Sequence, residues 1–556
     1  MALRQKKTGA PSLYWYLFFA LIFFIQVFPR FGMDSPASDE VVDVGDGYYY
    51  WKGDVISDSR HPPLAKALQA LPARFMGLES KAKASFTNYE RRDYNFLFVL
   101  NRTKFEGVME GARWVSLLSG LGIGYLLFLL VRGAGMPVLI FTMAFWALDP
   151  TLLAFSGLAL ADVPLAFLYL ISVLSFRKSL ENPGDWRNDA ITGILTGMAV
   201  TTKFSAVLLI PVYLILELFR WLNAKAGREK DLGGVGRRWL TGLAGALAFI
   251  SVLYLPGSLK MPDHRNPLGY FWDGFKAMAV FSGHPTYFLG ELTTRNHWAY
   301  YPLALLLKSP LPFLLFLFLS IGLAALGKIK FPLWRWMPGL ILFLAVSPFH
   351  NIGIREVLPA FPFFILLAGS GAGWLWTLGS EKRRLWPKLL AGIFIFFQAA
   401  SVGLQFPGQI SYFNELVPAG QKIYWLGDSN LDIGQDTKRL ALKARQMGWG
   451  RVKLAYFGNA NPELYGLKWD NWTQKDLEGP QPGQVYAINA AFLQLGPAFL
   501  PGAGAINQGW ISKIPPTGMV GDTWYYFVMP GQAGTSGASP DFPSTLPFKI
   551  YDHLND

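Results

Sequence analysis

The chain has 556 residues, 52% hydrophobic, 16% aromatic and 16% charged, with net charge +13 and mean hydropathy +0.27. A soluble domain carries about 25% charged residues, so much of this surface must face something other than water. No cysteine is present, which excludes disulfides, thiolate nucleophiles and cysteine-bound zinc. The basic residues lie in short loops between apolar runs, not on the face or stripe that nucleic acid requires.

A helix crossing the hydrocarbon core needs about 20 mostly apolar residues. The first such run, Ser12 to Phe31, follows Arg4, Lys6 and Lys7 and lacks a small-residue cleavage site, which predicts a retained anchor. Ten more runs follow near 111–131, 137–149, 158–176, 190–202, 204–221, 239–256, 300–326, 337–349, 357–379 and 389–405. The expectation is a polytopic α-helical membrane protein of about eleven transmembrane helices. With the N-terminus cytoplasmic, the inner loops hold Arg132; Arg177, Lys178 and Arg187; the basic residues between Arg220 and Arg238; Lys328, Lys330 and Arg335; and Lys382 to Lys388. The positive-inside rule requires that distribution. An odd number of spans puts the C-terminus outside, in a multi-pass inner-membrane topology.

The outer segments are then 32–110, 257–299 and 406–556. The division predicted is a membrane module over 1–405 and an extracytoplasmic α/β domain over 406–556. Within the latter, KIYWLGDSN reads as strand and turn, DTKRLALKARQMG as a helix closed by Gly448, and RVKLAYFG and QVYAINAAFL as strands. No internal repeat of the kind found in many transporters is visible.

The densest polar cluster, SDEVVDVGDGYYYWKGDVISDSRHPPLAK, starts at Ser38, just past the first span. Tyr48 to Trp51 reads as an interfacial aromatic segment, and His61-Pro62-Pro63 stiffens the backbone and can open a helix. An Asp-Glu pair after the first span, followed by H-P-P-L-x-K, resembles the GT-C glycosyltransferases of the protein O-mannosyltransferase and aminoarabinose-transferase type. The resemblance continues in LDPTLLAFSGLALADVPL (148–165), GMAVTTKFSAVLLIP (197–211), TRNHWAYYPLALLLKSPLP (294–312) and NIGIREVLPAFPF (351–363). SYFNELVPAG (411–420) and GDSNLDIGQD (427–436) resemble a bacterial branch of the group. Glu356 departs from the usual aromatic and Ile433 from a frequent Trp.

The resemblance implies a GT-C-like fold and a membrane glycosyltransferase. Its expected partners are a polyprenyl-monophosphate sugar donor, membrane lipid, and a protein, lipid or glycan acceptor, with no nucleic acid. Asp39 is then the expected base, with Glu40 orienting the acceptor or a cation, and Asp162 a further catalytic acid. Arg355, Lys203, His61 and Lys66 are the candidates for the leaving phosphate. Tyr48, His284, Trp298, Tyr301, Asp428 and Asp432 are the candidates for lining the acceptor side. Each has a structural alternative. Asp162 before Val163-Pro164 suits a helix N-cap, Lys203 suits snorkelling, Arg355 suits a pair with Glu356, and Asp428 and Asp432 suit Asx turns. No cofactor is certain; a divalent cation on Asp39, Glu40 and His61, with Asp162 in reach, stays open. A transporter or flippase of lipid-linked sugar, and a polymerase or ligase using a diphosphate-linked glycan, are the competing readings.

Overall fold

The computed structural model describes residues 13–53, 60–80, 89–223, 232–260, 266–280, 284–348, 351–381, 385–418, 420–499 and 503–531. Each of the eleven apolar runs carries helix. Among the described residues, however, seven helices are long and apolar enough to span a membrane, or eight if the bent pair Met136–Ala147 and Pro150–Ser156 is one span. The remaining apolar runs carry shorter helices, divided by breaks that the hydropathy alone does not show. Pro310 restricts Ser309 and divides the 300–326 run into Tyr300–Lys308 and Leu311–Ala325. Trp186–Val200 has 15 residues and Met337–Val346 has 10. In the bent pair Asp149 caps the second helix, accepting the Leu152 N–H at 2.8 Å, and Pro150 opens it.

The helices close on one another through small residues, as apolar packing inside a membrane favours. A Cβ added at Gly193 would come within 1.9 Å of the Gly242 carbonyl, so Trp186–Val200 and Leu232–Ser258 touch backbone to backbone. The buried core runs from Phe23 and Trp146 through Tyr169 to Phe363 and on to Tyr486 and Phe527, and so joins the helices to the C-terminal sheet.

That sheet has five strands: β3 (Val452–Ala455), β4 (Trp469–Asn471), β5 (Val485–Asn489), β6 (Gly518–Val520) and β7 (Trp524–Val528), in the order β4-β3-β5-β7-β6. β3 is parallel to β4 and β5; β7 is antiparallel to β5 and β6. The expected helix is Thr437–Gln446, with Gly448 just beyond it at φ +64°. KIYWLGDSN is not a strand. It forms two 3-10 turns, Lys422–Tyr424 and Asp428–Asn430, and touches a sheet only where Leu426 bridges Phe288. Phe288 belongs to a hairpin, β1 (Thr286–Phe288) and β2 (Glu291–Thr293). QVYAINAAFL is strand only as far as Asn489; Ala490–Phe499 is helix.

Candidate active site

The polar cluster after the first span folds as a helix, Ser38–Trp51, whose first turn sends the adjacent acids in opposite directions. Asp39 turns outward, its side chain 53% exposed. Glu40 turns inward and is fully buried. Its carboxylate accepts from Arg113 Nε at 2.9 Å and Nη2 at 2.8 Å, and from the backbone N–H groups of Ala37 at 2.8 Å and Ala159 at 2.6 Å. A carboxylate offers about four lone-pair directions, and these are consumed. Glu40 is thus a clasp between helices, without an oxygen to spare for acceptor or cation.

Arg355 meets Asp39 from the far end of the sequence. Its Nη1 lies 2.7 Å from Asp39 Oδ2 and 3.8 Å from Asp162 Oδ2. The turn that carries it is fixed by the C-terminal region: Ser429 Oγ donates to the Ile352 carbonyl at 2.6 Å, and Ile354 N–H donates to Asn430 Oδ1 at 3.0 Å. Gly353, at φ +144°, permits that approach, because a Cβ there would meet Ser429 Oγ at 1.9 Å. Asp162 is the first residue of Asp162–Glu181 and does not cap it. Its Oδ1 instead accepts from Lys203 Nζ at 2.8 Å. Lys203, an extended residue between Trp186–Val200 and the Phe204–Leu208 turn, also donates to Glu356 Oε1 at 2.7 Å. It therefore does not snorkel, and Glu356 pairs with Lys203 while Arg355 pairs with Asp39.

His61 is exposed, ahead of a helix opened by Pro63, Pro63–Gln69. The Leu64 N–H donates to the Thr201 carbonyl at 2.9 Å, tying this element to the Lys203 break. Burial works to raise the Asp39 carboxyl, but Arg355 above all, with His61 and Lys203, holds it below the ordinary range. Asp428 joins the same field from the C-terminal region. It sits at φ +56°, accepts the Ser429 N–H at 2.6 Å, and is raised by burial against the pull of His284 and Arg355.

Other sequence candidates lie elsewhere. Lys66 is buried, 3.0 Å from Asp46 Oδ2 and 3.6 Å from Asp43 Oδ1, so its ammonium is committed within the fold. Tyr48 is buried against Phe96, ring centroids 4.5 Å apart, rather than lying at an interface. Asp432 is buried and accepts from Asn489 Nδ2 at 2.9 Å and from the N–H groups of Ala491 at 3.0 Å and Gly434 at 2.9 Å. That is a joint between loop and sheet. Tyr301 is buried and Trp298 is 76% exposed; His284 Nδ1 lies 2.8 Å from the Pro285 carbonyl. Among the described residues no three His, Asp or Glu side chains gather as a metal site. A cation on Asp39, Glu40 and His61, which the sequence left open, would find no free lone pair on Glu40.

Beside the Lys203 break lies a cavity of about 500 Å³, lined by Val200, Phe204, Tyr213, Trp239, Ile250 and Phe271. It extends along Trp186–Val200 as far as Asp189, and eleven residues of helix cover about 16 Å.

Residues 13–256 match the family described as dolichyl-phosphate-mannose-protein mannosyltransferase. This is a membrane glycosyltransferase. No curated protein matches the transferase in sequence. Among solved structures it is similar to ArnT from Cupriavidus metallidurans in the apo state, at 14% identity over 92% of this chain and 98% of that one, TM-score 0.48. ArnT from the same organism bound to undecaprenyl phosphate gives 13% identity over 93% and 98%, TM-score 0.48. The Pmt1-Pmt2 complex of S. cerevisiae bound to the sugar donor gives 19% over 49% and 35%, TM-score 0.31.

Sequence reasoning passed over a second layer of the transferase's charges: Asp43, Asp46, Arg92 and Asp93, with Arg92 Nη2 2.6 Å from Asp93 and 3.2 Å from Asp46. The spacing Asp39, Asp43, Asp46 (i, i+4, i+7) on one helix face was the signal available.

Proposed function

We propose that this site transfers a sugar from a polyprenyl monophosphate to an acceptor hydroxyl in one inverting displacement. Asp39 is the base and Arg355 the guanidinium that receives the phosphate. The observation that carries the reading is the pair itself: a half-exposed carboxylate 2.7 Å from a guanidinium that is 11% exposed. An aqueous hydroxyl can reach the first and a phosphate can displace it from the second. As the acceptor oxygen bonds to C1, its proton passes to Asp39. The C1–O bond to phosphate breaks, and the phosphate leaves with the bonding pair, which Arg355 neutralises. Lys203, shared between Asp162 and Glu356, sets the positive field behind Arg355 and need not touch substrate.

The lipid nature of the donor is supported by the family match, by the undecaprenyl phosphate of the ArnT structure, and by the apolar cavity beside Lys203. A chain of isoprene units lying there would stay in hydrocarbon while its phosphate met Arg355. Basic loops support a cytoplasmic N-terminus, with Asp39, the hairpin and the C-terminal α/β domain (406–556) on the extracytoplasmic side of the inner membrane. The family's mannose is the first sugar to test, and protein, lipid and glycan hydroxyls are the acceptor classes.

The test is transfer of radiolabelled sugar from polyprenyl-phosphate donors to envelope acceptors by the purified chain. Label should reach product with the native chain and be lost with Asp39→Asn. Movement of intact donor across a bilayer with no product would replace the reading by a transporter. Cysteine labelling that puts residue 39 on the cytoplasmic side would reverse the orientation.

A further inference from the structure

Asp39 does not stand alone on its helix face. Asp43 follows by one turn and Asp46 by two, with Cβ atoms of adjacent turns about 5–6 Å apart. The Asp43 side chain is 17% exposed, so water reaches it. Lys66 lies 3.6 Å from Asp43 Oδ1 and 3.0 Å from Asp46 Oδ2, and Arg92 lies 3.2 Å from Asp46 Oδ1. The layer is held by backbone contact. A Cβ at Gly47 would fall 2.0 Å from the Lys66 carbonyl, and one at Gly45 would fall 2.7 Å from Asp93 Cβ. The main chain at Lys66 is therefore fixed beside the helix that carries the two carboxylates.

Arg355 keeps Asp39 below the ordinary carboxylate range, so the proton that each turnover delivers there passes readily to a neighbouring carboxylate that holds it better. Asp43 is placed in the opposite situation. Burial first, then Asp39 and Asp46 on its own helix, push it up to about 7 against the pull of Lys66 from Pro63–Gln69 and Arg355 from the Ile354–Ala360 turn. Behind Asp46 stand Arg92 and Asp93; ahead of Asp39 stands His61.

We infer that Asp43 receives from Asp39 the proton taken off the acceptor hydroxyl and releases it to water on the open side. The inference rests on the glycosyl-transfer reading and adds no atom to it. The acceptor O–H bond breaks, the proton moves from Asp39 to Asp43 to water, and the electron pair of the C1–O bond departs on phosphate. Ionised Asp43 accepts; protonated Asp43 blocks. Turnover should therefore fall as pH drops through the neutral range.

The test uses the full chain in lipid nanodiscs with undecaprenyl phosphate carrying one mannose as the probe donor. Transfer of the labelled sugar to envelope acceptors is followed across pH, alongside infrared titration of protonated carboxyl groups. Native chain should show an acid limb near neutrality. Asp43→Asn should turn over about 10-fold or more slower above that limb, with a flattened profile and unchanged KM, and should diminish by one group the carboxyl absorption that titrates there. Asp43→Glu should restore a limb, which guards against simple misfolding; undecaprenyl phosphate binding checks that both variants are folded. A limb and band unchanged in Asp43→Asn overturn the inference alone. A native chain that moves sugar from no polyprenyl-phosphate donor to any envelope acceptor, at any pH, overturns the glycosyl-transfer reading, and this inference with it.

Discussion

Replacing Asp39 with Asn removes a charge from a pair whose other half has a second use. In the resting site Arg355 Nη1 donates to Asp39 Oδ2 at 2.7 Å, and the donor phosphate must take over that guanidinium before reaction. A charge-assisted hydrogen bond contributes about 1.5–3 kcal/mol, and with one partner half-exposed the lower end applies. An Asn at 39 should thus strengthen phosphate binding by about tenfold, since about 1.4 kcal/mol is a decade in affinity. The same substitution removes the base and should lower kcat by about 10²–10⁴-fold. Affinity and rate move in opposite directions. The assay pairs undecaprenyl phosphate binding to purified protein with sugar transfer under the same conditions. Binding no tighter than that of the native chain would refute the competition, and transfer retained within about threefold would refute Asp39 as the base.

Glu40→Gln should act on stability instead. It strands a buried Arg113 and costs about 3–5 kcal/mol, visible as a lower tryptophan-fluorescence melting point, with phosphate affinity unchanged in the folded fraction. Gly47→Ala should abolish folding or activity because its Cβ meets the Lys66 carbonyl at 2.0 Å, whereas Gly77→Ala, with nothing within 4 Å, should cost only the strain of φ +60°; expression and melting of the pair separate the two. Asp428→Asn should keep the fold, since Asn tolerates the left-handed backbone, but change the KM for acceptor rather than for donor. Asp43 and Asp93 are pushed up to about 7 and about 8, both chiefly by burial. The folded chain then binds protons that the unfolded chain releases near pH 4. Stability should accordingly fall as pH rises from about 4 to about 8, and Asp43→Asn should shallow that slope in a melting series.

The sequence motifs foretold which residues the fold would gather. Asp39, Asp162, Lys203 and Arg355 are up to 316 residues apart by their numbers, yet they share one charge network. Apolar runs likewise marked where helices form. What the sequence did not reveal depends on partners supplied from a distance. Nothing local tells Asp39 from Glu40; Arg113, 73 positions away, decides which acid is buried. Lys66 lies in a motif that suggests phosphate, but Gly47 lets its helix press against Ser38–Trp51 and hands its ammonium to Asp46. KIYWLGDSN has the composition of a strand. Its Asn430 is claimed by Tyr300 Oη at 2.7 Å and by Ile354, and a segment tied to the helices cannot join the sheet.

Lys308 bears on how separable the two regions are. Its buried amino group donates to the carbonyls of Ile410 at 2.8 Å and Asn430 at 2.6 Å. Both acceptors lie past residue 405, where hydropathy alone would place the cut. A chain truncated there would leave that amino group in an apolar interior with neither oxygen, and would strip Arg355 of the turn that aims it. Grafting a foreign outer domain onto these helices would therefore demand that residues 406 to about 434 travel with the membrane half.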